Sequence, residues 1–364
     1  MRIGIIGLPS AGKTTLFDLL CVAGGGHVSQ HGTHEPTIVV VKVPDARLDR
    51  IASIFKAKNV TPSTLEFVDF VALTRGAASG GGLGSRYLTQ MRQVDALLHV
   101  LRDFEEPGIA HVEGKVDAAR DAVLVNTELL LADLDTVEKR LGRLEADLKK
   151  MKKEEEAVKE LELLRRCRNW LMEEKPIRDL PLSDDQVKLL RGFALLTAKP
   201  MLLLLNISEG TLGKPNSVQE RLQRALGGAA VAAITLCLKT ELEVAQLPGE
   251  DAEVFRKDLG LQADGFVEVL KACNHLLGLI TFYTGEGGVE TRAWSLPVGA
   301  TALKAAATIH SDLERGFIRV EVISGKELEA AGSMAAARKK GTLRVEGRDY
   351  VVADGDVILV RFNV

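Results

Sequence analysis

Short apolar runs separated by helical stretches set the rhythm of the first third of the chain. RIGIIG (2–7), TIVVVKV (37–43), LEFVDFV (65–71) and ALLHVLR (96–102) read as strands, and the alternation predicts a largely parallel sheet flanked by helices. Beyond residue 125 the period changes. Leu130, Leu134, Val137, Leu141, Leu144, Leu148 and Met151 recur at alternating spacings of four and three, an a/d seam held over three heptads. Charges then dominate as far as Pro176 and Pro181, and Val158, Leu161, Leu164 and Leu171 mark a second helix that can fold back on the first. Such a seam serves equally for a hairpin closed on itself or for a partner protein.

Strand patterns return in PMLLLLN and AVAAITLCL, which complete the sheet begun before the hairpin, so the hairpin reads as an insertion within one domain. From about Ile280 the chain is β-rich, with TRAWSLPVG, GFIRVEVI, TLRVEGRDYVV and DVILVRFNV, and a small separate module is expected. The predicted division is a nucleotide-type α/β domain over 1–128 and 183–279, an inserted helical hairpin over 129–182, and a terminal module over 280–364.

Composition narrows the possibilities without choosing among them. With 46% hydrophobic and 27% charged residues the 364-residue chain has an ordinary globular make-up, and a net charge of -3 gives no bulk attraction to nucleic acid. Any such partner needs a local basic patch. Cys21, Cys167, Cys237 and Cys273 are scattered without metal-ligand spacing, so idle thiols in a reducing cytoplasm are expected. No apolar run approaches the roughly 18 residues of a membrane span, and no signal peptide is evident at the N-terminus. A cytoplasmic monomer is the expectation.

GLPSAGKT, Gly7 to Thr14, fits G-x-x-x-x-G-K-[ST] between a strand and a helix, the context that makes this pattern specific. Gly7 and Gly12 let the loop curl so that successive N–H groups face phosphates, and Pro9, Ser10, Ala11 and Thr15 complete the nucleotide-binding loop and its flank. Lys13 adds a point charge near the β- and γ-phosphates, and the Thr14 hydroxyl is a Mg²⁺ ligand. Asp69 ends an apolar strand, where a carboxylate holds Mg²⁺ through water or simply caps the following turn. The Gly-dense RGAASGGGLGS after it reads as a loop ordered by a γ-phosphate, or as a plain linker. In LLLLNISEG, Asn206, Ile207 and Glu209 stand where guanine-reading switches carry Asn-Lys-x-Asp.

These strings together resemble the YchF group of Obg-related P-loop NTPases across nearly the whole chain. GLPSAGKTTLF, VPDARLD, EFVDFVAL, GLGSRYL, VNTELLLADLDTVEKR, NISE, RAWSLPVGAT and IHSDLERGFIRVEVIS carry the likeness, and YVVADGDVILVRFNV resembles that family's closing TGS domain. The resemblance implies a Ras-like domain, an antiparallel hairpin inserted in it, and a TGS module. It also implies ATP as substrate ahead of GTP: an Asn amide pairs with adenine N6 and N7, whereas Glu209 in place of Asp displaces the carboxylate that guanine N1 and N2 require. Asn206 is then the base reader.

Other site residues come from the same resemblance. His111 in EEPGIAHVEGK matches the residue proposed to handle the attacking water, because Leu73 occupies the position where Ras-type enzymes carry Gln. Thr33 falls where the Mg²⁺-sensing threonine belongs. Three departures from that pattern together point to slow turnover: Ala72 replaces the Gly of Asp-x-x-Gly, Ser10 replaces an Asn sometimes tied to potassium activation, and HVSQHGTHEPTIVVV lacks the family's aromatics. His27, His31 and His34 in that segment read as loop histidines, with a zinc site the alternative. The reading is therefore a slow Mg²⁺-dependent ATPase whose nucleotide state controls contact with the ribosome, through rRNA or ribosomal protein. The hairpin and TGS module would be the contact surfaces, with Lys149, Lys150, Lys152, Lys153, Lys159, Arg165, Arg166 and Arg168 near the hairpin tip. A GTP-binding protein, a nucleotide-binding adaptor with little hydrolysis, and a small-molecule kinase stand as alternatives.

Overall fold

The computed structural model describes residues 1–25, 27–29, 36–70, 83–150, 155–212, 218–226, 232–261 and 264–363. Thr33, Ala72, Leu73, His31, His34, Met151, Lys152 and Lys153 lie outside these described residues. In chain order the first elements are β1 (Arg2–Ile6), α1 (Lys13–Gly24), β2 (His27–Ser29), β3 (Thr37–Lys42), α2 (Ala46–Phe55), β4 (Asn59–Thr61) and β5 (Thr64–Asp69). There follow α3 (Leu83–Met91), β6 (Ala96–Asp103), α4 (Ala118–Lys150), α5 (Glu155–Met172), α6 (Asp184–Arg191), β7 (Met201–Ile207), α7 (Val218–Ala225), β8 (Ala232–Leu236) and α8 (Leu238–Ala245). Two compact units result: residues 1–39 with 66–269, and residues 40–65 with 270–364.

The larger unit is organised by a seven-stranded sheet in the order β2-β3-β5-β1-β6-β7-β8, with β5, β1, β6, β7 and β8 paired in parallel. Strands covered on both faces need apolar residues at every position, which is why β7 reads MLLLLNI and is buried throughout. The α/β fold expected from the strand–helix rhythm is the fold observed. His99 breaks the apolar rule without a compensating bond. At 1% exposure in the middle of β6, it has no hydrogen-bond partner on either ring nitrogen among the described residues. Burial, reinforced by the cations Lys13 and Arg178, lowers its pKa to about 3.

The heptad seam closes on itself. Leu130, Val137, Leu141 and Leu144 of α4 pack against Leu163, Leu164, Cys167 and Leu171 of α5, with Leu134, Leu148 and Leu161 at the margin. Arg140 grips Glu160 through two bonds of 2.7 and 2.9 Å, and Arg165 reaches Glu145 at 2.7 Å, fixing the helices' register. Several of the expected contact cations are thus engaged internally: Lys159 pairs with Glu155, and Arg166 donates to Pro181 O. The hairpin is rooted by Asp133 of α4. Its fully buried carboxylate accepts from Leu196 N, Thr197 N and Thr197 Oγ1 at 2.7–2.9 Å and from Arg92 at 3.0 Å.

The smaller unit adds β9 (Leu279–Glu286), β10 (Glu290–Pro297), α9 (Ala302–Ile309), β11 (Phe317–Ser324), α10 (Gly325–Ala331), α11 (Met334–Lys340), β12 (Arg344–Glu346) and β13 (Asp356–Phe362). Its six-stranded sheet runs β12-β11-β13-β9-β10-β4. The compact units divide the chain differently from the boundary at residue 280, because α2 and β4, within residues 40–65, join this sheet and its core. β4 pairs in parallel with β10, and Leu48 and Ile51 of α2 pack with Tyr283, Ile323 and Val357. Asp45, the N-cap of α2, accepts from Tyr283 Oη at 2.6 Å and from Arg47, whose guanidinium also meets Asp354 at 2.6 Å. Among the described residues no helix is long and apolar enough to cross a membrane.

His99 makes stability depend on pH. Its folded pKa lies below the free value of 6.5, so the unfolded chain binds the extra proton, and stability present above pH 6.5 is lost as pH falls toward 3. Unfolding free energy should drop by about 2 kcal/mol between pH 7.5 and pH 5 from this residue alone. Denaturant titrations of wild type and His99→Leu check it: the substitution should remove that part of the slope.

Candidate functional site

β1 delivers the chain into the Gly7–Gly12 loop, and two glycines make its path possible. Gly7 has φ 149°, and a Cβ there would stand 2.4 Å from Val100 O of β6. Gly12 has φ 104°, and a Cβ there would stand 2.3 Å from Asn206 Nδ2. Both steric limits and the positive φ exclude other residues. Ser10 also takes the left-handed region, at φ 61°, without being glycine. The loop thereby delivers its N–H groups to the first turn of α1, where anions are favoured.

Lys13, the first residue of α1, is buried, and its ammonium donates to Gly7 O at 3.2 Å and Leu8 O at 2.8 Å. Burial lowers its pKa to about 8, with Asp69 opposing the shift. Asp69 aligns with Ile5 across the β1–β5 pair, its carboxyl raised by burial and held down by Lys13. Asp69 Oδ1 is buried with no protein partner among the described residues. An unpaired buried carboxylate oxygen is costly unless a cation or water meets it. Together with Thr14, exposed and next to Lys13 in sequence, these residues fit a magnesium–phosphate group.

Asn206 closes the other side. At 5% exposure, its Nδ2 donates to Ala11 O and its Oδ1 accepts from Leu238 N, each at 3.1 Å. One amide thus ties the phosphate loop, the end of β7 and the start of α8 together, and keeps one N–H and one lone pair in reserve. A pocket of about 650 Å³ results. Ser10, Gly12, Lys13, Thr14 and Thr15 line it with Asn206, Ile207 and Glu209. Eight of the residues singled out from the sequence therefore meet in one cavity. Gly7, Pro9 and Ala11 belong to the loop but do not line it, and Asp69 acts from the neighbouring strand.

His111 is elsewhere. Its side chain is buried with Nε2 2.9 Å from Asp121 Oδ2, at ion-pair distance though off the line of a hydrogen bond. Its Nδ1 accepts from Glu113 N at 3.1 Å, and Asp121 is also bound by Arg120 at 2.7 Å. It does not line the pocket.

The sequence reading missed one wall. Phe104, Glu105, Glu106 and Ile109, with Cys237 and Lys239, line the same cavity. Arg102, 2% exposed, shapes that wall: Nε donates to Phe104 O at 3.1 Å, Nη2 donates to Ile109 O at 3.0 Å, and the guanidinium lies 4.9 Å from the Phe104 ring. The available signal was topological, since loops leaving the carboxyl ends of adjacent parallel strands converge.

Known proteins resemble this chain over nearly its whole length. A family described as a 50S ribosome-binding GTPase matches residues 2–160, and the YchF-type GTPase C-terminal family, described as a protein of unknown function, matches residues 279–363. The chain is 41% identical to the ribosome-binding ATPase YchF of Bacillus subtilis (strain 168) over 364 residues, covering 99% of each. It is also 41% identical to that of Escherichia coli O157:H7, covering 100% of this chain and 99% of the relative. The solved structure of the Schizosaccharomyces pombe YchF GTPase superposes with a TM-score of 0.85 at 27% identity, covering 99% of this chain and 97% of that one.

Removing the Asn206 amide leaves Ala11 O and Leu238 N without partners. Asn206→Ala should cost about 2–4 kcal/mol of unfolding free energy, and Gly12→Ala, which drives a methyl into Nδ2, should abolish binding of a triphosphate analogue. Denaturant unfolding and isothermal titration measure the two effects.

Proposed function

The chain belongs to the YchF family, and on that footing we propose that it is a P-loop nucleoside triphosphatase that hydrolyses ATP slowly, accepts GTP less well, and uses nucleotide state to govern its association with the ribosome. The observation that carries the proposal is the convergence of the Lys13 loop and the Asn206 amide on one pocket. The half-used amide supports adenine: its free N–H suits N7 and its free lone pair suits the N6 amino group. Glu209, one methylene longer than the aspartate that reads guanine, lines the same cavity.

Phosphoryl transfer asks the protein for position and charge more than for covalent chemistry. Lys13, ammonium at neutral pH, would exchange its two loop carbonyls for phosphate oxygens. Thr14 and Asp69 would hold Mg²⁺, with Thr33 joining them. Magnesium, when bound, neutralises charge on the phosphate oxygens. Water orientation falls to His111, and that role requires its loop to shift, since the ring rests against Asp121. Ala72 and Ser10 favour the second reading, an adaptor that binds nucleotide with little turnover.

Titration with both nucleotides should give tighter binding of ATP; a GTP preference of about tenfold or more would end the proposed base assignment. Phosphate release with and without ribosomes separates the ATPase from the adaptor, and ribosome co-sedimentation should fall steeply with salt. His111→Ala should bind ATP normally and hydrolyse it far more slowly, whereas unchanged turnover removes His111 from the mechanism.

A further inference from the structure

The larger unit has a second cavity, of about 920 Å³, at the opposite ends of the strands from the nucleotide pocket. Its floor is formed by Arg92–Asp95, which lead into β6, and Ala198–Pro200, which lead into β7; its roof comes from the hairpin root around Ile177–Leu195. Because the nucleotide pocket lies beyond the other ends of β6 and β7, the two sites are separated by roughly 25 Å, the length of an eight-residue strand.

Charge in this cavity is unbalanced. Arg92, Arg178, Arg191 and Lys199 line it, against one lining carboxylate, Asp95. Arg92 is neutralised by Asp133 behind the wall. The other three are not. Lys199 donates to the carbonyls of Arg92 and Val94 and meets Asp95 and Asp133 only at a distance. Arg178 has two long bonds to neutral acceptors, Thr197 O at 3.4 Å and Asn126 Oδ1 at 3.3 Å, and meets Asp179 and Asp133 only at a distance. Arg191 is exposed at the rim and has no partner among the described residues. Burial lowers the pKa of both Arg178 and Lys199, the mark of cations short of countercharge. Half-buried charges ordinarily have a charged partner, and among the described residues no carboxylate stands at ion-pair distance from either. The remaining wall is apolar, with Ile177, Leu180, Leu190 and Leu195.

We propose that this cavity binds an organic phosphate, its phosphoryl group held by Arg178, Arg191 and Lys199 and its aromatic or alkyl body resting on the hairpin-root leucines. A guanidinium fork takes phosphate oxygens in pairs, and the half-apolar wall distinguishes a phosphate ester from a free inorganic ion. The site is independent of the nucleotide pocket and is tested with that pocket filled.

Protein saturated with a non-hydrolysable ATP analogue and Mg²⁺ is titrated calorimetrically with phenyl phosphate at low salt. One further site per chain is expected, weakened at least about tenfold in Arg178→Gln and in Arg191→Gln while analogue affinity is unchanged. Absence of the further site, or unchanged phenyl phosphate affinity in Arg191→Gln, overturns the proposal; so does equal binding of neutral benzyl alcohol. Should Arg178→Gln fail to fold, Arg191→Gln carries the test alone, because its side chain is exposed and holds nothing else in place.

Discussion

The larger unit's chemistry depends on one primary amide. Asn206 sits at the end of the most buried strand, and its two polar atoms reach backbone groups far away in sequence, Ala11 and Leu238. A phosphate loop is otherwise a run of strained, largely unpaired backbone, with positive φ at Gly7, Ser10 and Gly12. Fixing the Ala11 carbonyl from a rigid strand turns that loop into a cradle of defined shape, and fixing Leu238 N sets where α8 begins. Gly12 is required twice over, for its backbone angle and because the amide occupies the space of its missing Cβ. Preorganisation of this kind lets binding energy go to the ligand instead of to ordering the loop.

The hairpin insertion obeys the same logic with a charge. A long helix leaving an α/β domain needs a joint that cannot slide, and hydrophobic contact alone specifies register weakly. Asp133 supplies direction: four donors converge on one carboxylate, three of them from the Leu196–Thr197 turn just ahead of β7. With every acceptor position used, the desolvation cost of the buried carboxylate is offset by charge-assisted bonds. The apolar seam above it then zips along a register already chosen.

Local signals were legible in the sequence, and non-local ones were not. The apolar runs gave β1, β3, β5, β6, β7 and β13 at nearly their observed bounds, and the heptads gave the hairpin, because period and burial face are properties of neighbouring residues. The Lys13 loop was legible because its glycines, lysine and threonine serve one local geometry. β4 was missed, being three residues long and stabilised by pairing with β10 more than two hundred positions later. α2 likewise shows an amphipathic pattern but does not announce whose core it joins; Asp45, Arg47 and Tyr283 make that choice through contacts at long sequence separation. The Phe104–Ile109 wall was missed for a related reason. Its residue types carry no motif, and the bonds from Arg102 that hold the loop are visible only in the folded chain.

Electrostatics inside the sheet also follow from its two-sided burial. Lys13 stands toward one end of the strands and Arg178 toward the other, and His99, on the strand between them, is influenced by both. A low-dielectric interior makes each cation's field reach further than it would in water. A protonated imidazole at that point would face repulsion from both sides with no hydrogen bond to offset it, so the ring stays neutral and behaves as a flat, polarisable filler. Asp69, on the strand next to β1, takes the opposite position: a carboxylate whose burial is opposed by a single lysine and whose buried Oδ1 has no partner among the described residues. Within one sheet, then, the same desolvation silences a base behind the phosphate loop and leaves an acid beside that loop under-coordinated. The second outcome creates a place for a cation; the first keeps the path between the two cationic ends free of charge.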